Sequence, residues 1–191
     1  MTTAPLADAW KVQEDRERTF AAIRADDNLS DVGKQNRLHE AHTASAARLD
    51  ELRAARAAEI AAEQKRLTHR AFAAPTAGDR AAYRDVLELA GRLDSPRAAE
   101  EALCRAERTD DLLLARAIGT VAAERGWTPA LIVYGELFGA ADALNELESF
   151  GAALGDVQRS MSESMAFSAS PPGEVLGYQP EHTEAAPSWR P

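Results

Sequence analysis

The stretch that decides the fold is DVGKQNRLHEAHTASAARLDELRAARAAEIAAEQKRLTHRAFAA, residues 31–74. It contains no proline, and alanine, arginine, glutamate, leucine and glutamine are prominent in it. Because these residues favour helix, the stretch predicts one helix about 60 Å long at a rise of about 1.5 Å per residue. Ser30, directly before it, is the predicted N-cap.

The large apolar residues of this helix form only a thin stripe, and a helix with so narrow an apolar face needs a partner. We predict that the stripe is a self-association face. It consists of Leu38, Leu49, Leu52, Ile60 and Leu67. Leu38, Leu49 and Ile60 are eleven residues apart, a spacing that favours a nearly straight partner helix. That partner is either the weakly amphipathic helix predicted over residues 6–25, folded back, or a second copy of the chain.

Residues 76–165 carry the start signals of several short helices. Each predicted helix follows a residue whose side chain can accept a hydrogen bond from a free backbone N–H group. These predicted starts are Thr76, Ser95, the run Thr109-Asp110-Asp111, whose carboxylates favour the positive end of a helix, and Thr128. Proline follows two of them, at the first helical position, where its missing N–H costs nothing. Gly126 is the predicted end of one helix.

Most of the large apolar residues also lie in residues 76–165, which predicts a small bundle with its own core. The candidate core residues are Leu87, Leu113, Ile118, Val121, Trp127, Ile132, Leu137 and Phe138. No alternating run predicts a strand. The sequence therefore predicts an all-α protein with a long helical or coiled-coil arm over residues 1–75, a bundle over 76–165, and a disordered tail rich in Pro, Ser and Glu over 166–191.

Charge separates the two halves of the chain. Residues 1–75 hold 12 basic and 12 acidic side chains, whereas residues 76–191 hold 10 basic and 19 acidic ones. An acidic body repels phosphate, so nucleic acid is an unlikely partner. The longest apolar run is residues 130–134, far short of the about 20 residues that span a membrane, and no secretory signal is visible. We expect a cytoplasmic protein.

No catalytic, cofactor-binding or metal-binding site is predicted. The single cysteine, Cys104, has no histidine near it in the sequence and is expected to be a half-buried helix residue. His39 and His42 could share a metal, but a third and fourth ligand are missing, so we interpret them as part of a solvated face. Adjacent acids such as Asp110 and Asp111 point in different directions on a helix and do not converge on a substrate.

Residues 112–138 could form a helix-turn-helix motif around Gly126. A recognition helix presents base-reading side chains in its first turns, whereas this one would present Pro129, Leu131 and Ile132. A core helix is therefore the preferred interpretation, and a DNA-binding regulator is the weakest of the functional alternatives.

Two segments carry a family resemblance. The stretch ARAIGTVAAERGWTPALIVY, residues 115–134, resembles helical proteins encoded in actinobacterial phages and prophages. The stretch DDNLSDVGKQNRLHEAHTASAARLDEL, residues 26–52, resembles coiled-coil segments of virion-assembly proteins. The resemblance implies a scaffold-like or minor structural role in virion assembly, through self-association and contacts with a capsid, portal or tail protein. The alternative is a helical adaptor that binds one protein partner through its acidic bundle.

Overall fold

The computed structural model describes residues 4–73 and 78–176. Within these ranges the chain forms eight α-helices, one short 3₁₀ helix and no β-strand, which confirms the predicted all-α fold. The α-helices are α1 Ala4–Ala25, α2 Asp31–Phe72, α3 Arg80–Gly91, α4 Pro96–Arg108, α5 Leu112–Glu124, α6 Thr128–Phe138, α7 Ala141–Leu154 and α8 Val157–Ala166. The 3₁₀ helix is Gly173–Val175.

The chain divides into two compact units, and their boundaries differ from the predicted ones. The first unit contains the residues up to Ala58 together with those from Gln158 onward, and the second unit is Glu59–Val157. The predicted boundary near residue 75 was wrong because the division falls inside α2. An uninterrupted helix has neither a cap nor a proline at such a point to mark it in the sequence.

In the first unit, α1 folds back along α2. One apolar cluster joins Ala9 of α1 to Leu49 and Leu52 of α2, and Ala166 and Phe167 complete it. A second cluster joins Phe20 of α1, Leu38 of α2 and Val175 of the 3₁₀ helix. The predicted α2 start is confirmed, because the Ser30 hydroxyl accepts the Gly33 N–H at 3.2 Å.

This arrangement corrects the predicted self-association face. Leu38, Leu49 and Leu52 are buried within the chain itself, so they are not available to a second copy. Leu67 is also buried and Ile60 is half-buried, both in the second unit. The partner helix that the thin stripe of α2 requires is α1, together with the segment around α8.

The predicted tail also begins too early. Phe167 and Val175 are buried in the two clusters of the first unit, so residues 166–176 are ordered parts of the fold. Polar side chains hold the end of α8 as well, where the last carbonyl groups of a helix lack partners inside it. Gln13 donates to the Ala166 carbonyl at 2.9 Å, and Arg53 donates to the carbonyl of Phe167, the residue directly after α8, at 2.5 Å. The rest of the predicted tail, residues 177–191, lies outside the described residues.

An ion pair joins α8 to α2 in the same unit. The Arg56 side chain is buried, and its guanidinium donates to the Glu163 carboxylate at 2.9 Å. Arg159 donates to the same carboxylate at 3.3 Å. Burial alone would raise the pKa of Glu163, but the hydrogen bonds and charges of the two arginines outweigh it, so this pKa lies below the ordinary value of 4.5.

We expect Glu163→Gln to destabilise the first unit by about 1–3 kcal/mol at neutral pH, because buried Arg56 loses its carboxylate. A carboxyl group whose pKa is lower in the folded protein than in the unfolded chain stabilises the fold at pH values above its pKa in the unfolded chain. This stabilisation is lost as the pH falls through the pKa of the group in the folded protein. The variant should therefore lose less stability than the wild type between about pH 6 and about pH 3. Thermal unfolding followed by circular dichroism across this range measures the difference.

The matched control is Glu51→Gln, which removes the carboxylate of an exposed ion pair with Arg48 on α2. Exposed pairs contribute about 0–1 kcal/mol, so this variant should follow the wild type. Equal acid sensitivity of Glu163→Gln and the wild type would refute the assigned role of Glu163.

The second unit contains the bundle, whose helices begin largely where the sequence predicts. The Ser95 hydroxyl accepts the Ala98 N–H at 3.2 Å, and the Asp111 carboxylate accepts the Leu114 N–H at 3.0 Å. Thr128 was wrongly predicted as an N-cap, since α6 already includes it and the preceding Trp127 makes no side-chain cap. Thr76 lies outside the described residues.

The predicted bundle core is correct only in part. Ile118 and Val121 are buried. Four further predicted residues are half-buried: Leu87, Leu113, Trp127 and Phe138. Ile132 and Leu137 were predicted wrongly, because their exposed fractions are 56% and 40%. The side chain of Leu103 and the ring of Tyr134, neither of them predicted, are buried instead.

Tyr134 connects α6 to the end of α2. Its hydroxyl donates to the Ala71 carbonyl at 3.0 Å, and its ring stacks on Phe72 and Phe138 at centroid distances of 5.9 and 5.6 Å. Gly119 of α5 makes room for the ring, since a Cβ at that position would lie 3.2 Å from it. The ring is therefore the point where three helices of the second unit meet.

Candidate protein-binding grooves

Helix α7 carries an apolar stripe that its own unit covers only in part. The large apolar residues of the stripe recur every three or four positions, as on one face of a helix. They are Leu144, Leu147, Phe150 and Leu154, and all four are half-buried. Helix α7 is in close backbone contact with α6, and an opening lies on each flank of α7.

The larger opening, which we call the α2–α7 groove, has a volume of about 890 Å³. It lies between the C-terminal part of α2, helix α5 and helix α7, with Tyr83 of α3 also at its wall. Phe72, Leu147 and Phe150 supply apolar surface, and Lys65 and Glu124 supply charges of both signs. An ion pair between Arg70 and Glu146 links the two helices that form its sides.

The smaller opening, which we call the α6–α7 groove, has a volume of about 480 Å³. Leu131, Ile132 and Leu144 supply large apolar surface, and Phe72 and Leu147 are shared with the α2–α7 groove. The exposure of Ile132 is explained by this position, because it lies at an opening and not between two helices. Both volumes are in the range of sites that bind ligands or partner side chains, about 300–1,000 Å³.

Close backbone contact fixes the turn between α6 and α7. A Cβ on Gly135 would lie 3.1 Å from the Ala141 Cα atom, so this position has no room for a side chain. Gly139 ends α6 in the left-handed conformation, with φ of 68°, and its N–H donates to the Gly135 carbonyl. The close approach at Gly135 is therefore a contact with the next helix along the chain.

The charges at the α6–α7 groove have one sign. Among the residues that the structure describes, Glu136 and Glu148 are the charged ones in its lining, and both are exposed. Residues 126–158 contain five acidic side chains and no lysine or arginine. Within the described ranges, neither Glu136 nor Glu148 forms an ion pair.

The residues considered for chemistry line neither groove. Cys104 of α4 is exposed, which corrects the prediction that it is half-buried. His42 is half-buried, with an Nδ1 atom that reaches neither solvent nor a hydrogen-bond partner, so the prediction of a solvated face was wrong for it. Burial, together with the charges of Arg16 and His39, lowers the pKa of His42. The described residues contain no group of three or more His, Cys, Asp or Glu side chains that could hold a metal ion.

The helices that could have formed a DNA-reading motif are α5 and α6, joined at Gly126 with φ of 67°. The first turns of α6 present Thr128, Pro129 and Ile132, and Ile132 lines the α6–α7 groove. No described helix has the length and apolar character needed to cross a membrane. Comparisons with protein-family models, curated proteins and solved structures give no significant match.

Proposed function

We propose that this protein is a non-enzymatic assembly factor that binds a helix of another protein through the grooves beside α7. The observation that carries the proposal is the half-buried stripe of α7, open to a groove on each flank. Recognition of an amphipathic helix uses this geometry, with side chains three or four positions apart entering an apolar groove.

The energetics favour a partner on this face. Complete burial of a Leu or Phe side chain stabilises by about 1.5–3 kcal/mol relative to full exposure, and four such residues on α7 are only half-buried. A second helix beside α7 would remove much of the remaining apolar surface from water. Leu103, Ile118 and Tyr134 are already buried in the core of the second unit without this contact.

The proposed partner is a component of a phage particle. Support comes from the resemblance of residues 26–52 and 115–134 to proteins of phages and prophages. The second of these segments spans most of α5 and the first half of α6, so it includes four lining residues of the α6–α7 groove, Ala123, Thr128, Leu131 and Ile132. A capsid, portal or tail protein that offers an amphipathic helix would fit the proposal.

The test is site-specific photocrosslinking of the full chain in cells that assemble the particle. A benzophenone amino acid replaces exposed Ile132 in the α6–α7 groove, and the control replaces Leu89, which is 54% exposed on α3 and lines neither groove. We expect one discrete adduct from position 132 and none from position 89. Mass spectrometry of the adduct identifies the partner.

A second pair of variants tests whether the groove itself is occupied. Asn145→Trp places a bulky side chain at the lining of the α6–α7 groove, whereas Ser149→Trp places it on exposed α7 surface outside both grooves. Only Asn145→Trp should suppress the adduct. Equal adducts from positions 132 and 89, or an adduct insensitive to Asn145→Trp, would refute the binding role. A partner that is not a particle component would refute only the role in virion assembly.

A further inference from the structure

The charges around the α6–α7 groove indicate the chemistry of its partner. We infer that this groove binds an amphipathic helix whose apolar face is flanked by lysine or arginine. This inference rests on the proposed function. Leu131, Ile132 and Leu144 contact the apolar face of the bound helix, and Glu136 and Glu148 contact its basic flank.

The position of the two carboxylates supports this assignment. Glu136 belongs to α6 and Glu148 to α7, so the two helices that form the groove each supply one acid to its lining. Neither is paired with a basic residue within the described ranges. A basic partner side chain would therefore gain a new ion pair without breaking one inside the protein.

The surrounding sequence extends the same sign of charge. Asp142 and Glu146 of α7 also lie in the stretch of residues 126–158 that lacks lysine and arginine, although Glu146 is paired with Arg70. A groove lined by charges of one sign raises the association rate of an oppositely charged partner and disfavours partners of like charge. The α2–α7 groove lacks this property, because both Lys65 and Glu124 line it.

The experiment measures peptide binding to the full chain by fluorescence anisotropy. The probe is a labelled synthetic helix of about five turns, with leucine at i, i+3, i+4 and i+7 positions and lysine elsewhere. A companion peptide carries glutamate at every lysine position. We expect the lysine peptide to bind at least about tenfold more tightly, and its affinity to fall as the salt concentration rises from about 50 to about 300 mM.

Charge reversal distinguishes binding in the α6–α7 groove from general attraction between an acidic protein and a basic peptide. The variant Glu136→Lys/Glu148→Lys should weaken binding of the lysine peptide at least about tenfold. The control Glu101→Lys/Glu107→Lys makes the same change of net charge at exposed positions of α4, outside both grooves, and should weaken it by less than about threefold. Circular dichroism confirms that all variants keep the wild-type helicity.

Each outcome decides between the inference and the function on which it rests. Similar affinities for the two peptides, both reduced by Asn145→Trp, would refute the basic partner but support a helix-binding groove. Equal effects of the two charge reversals, or no binding of the lysine peptide, would overturn the inference and leave the photocrosslinking test to decide the proposed function. The inference is supported if the lysine peptide binds and only Glu136→Lys/Glu148→Lys abolishes this binding.

Discussion

Tyr134→Ala is expected to lower the free energy of unfolding of the second unit by about 3–5 kcal/mol, the range of large aromatic truncations in cores. The ring is 3% exposed, stacks on Phe72 and Phe138, and lies against Gly119. Its removal leaves a cavity where α2, α5 and α6 meet. It also leaves the Ala71 carbonyl without the hydroxyl that donates to it.

Urea unfolding followed by circular dichroism measures this loss, and hydrogen exchange of peptides from α5 and α6 locates it. Tyr134→Phe is the matched control, because it keeps the ring and removes only the hydrogen bond. Tyr134→Phe should lower the free energy of unfolding by about 1–3 kcal/mol, the range for a buried acceptor left without a donor. If the alanine variant were no less stable than the phenylalanine variant, the ring would not be the central contact of this unit.

The helix starts were the part of the fold that the sequence predicted best, because their signals are local. Ser95 and Asp111 accept hydrogen bonds from N–H groups three residues ahead, so the capping residue and its partner lie in one short stretch. Thr128 shows the limit of such signals. The chain has already entered α6 at this residue, after the turn at Gly126.

The buried face of α6 could not be predicted from periodicity. Its sequence, TPALIVYGELF, is apolar on nearly every side, so the pattern does not select one face for the core. The prediction placed Ile132 and Leu137 inside, whereas Ala130 and Tyr134 are the buried residues. The buried face of α6 is determined by the stacking of Tyr134 on Phe72, a residue more than 60 positions away in the sequence.

The grooves beside α7 were not predicted, although two of their signals are visible in the sequence. Leu144, Leu147 and Leu154 recur at helical spacing, and residues 126–158 lack lysine and arginine. Neither signal shows that the stripe of α7 remains half-buried. That property depends on which parts of α7 are covered by neighbouring helices, and only the tertiary structure shows this.

The partner of α2 was also left open by the sequence, because a thin apolar stripe fits a neighbouring helix of the same chain as well as one of a second copy. Leu49→Ala discriminates between these partners. Leu49 is fully buried in a cluster with Ala9, Ala166 and Phe167. We expect the substitution to destabilise the first unit by about 2–5 kcal/mol and to speed hydrogen exchange in α1 and α8. Val32→Ala, at a position of α2 that is 61% exposed, is the control and should change little.

Protein concentration provides the decisive measurement for this variant. If Leu49 contacts only its own chain, the urea midpoints of the wild type and of Leu49→Ala should not change with protein concentration. If Leu49 contacted a second copy, dissociation would accompany unfolding, and the wild-type midpoint would rise with concentration. A concentration-dependent wild-type midpoint that Leu49→Ala abolishes would therefore restore α2 as the self-association face. A constant midpoint with a large loss of stability would show that α1 and α8 are the partners that the thin stripe of α2 requires.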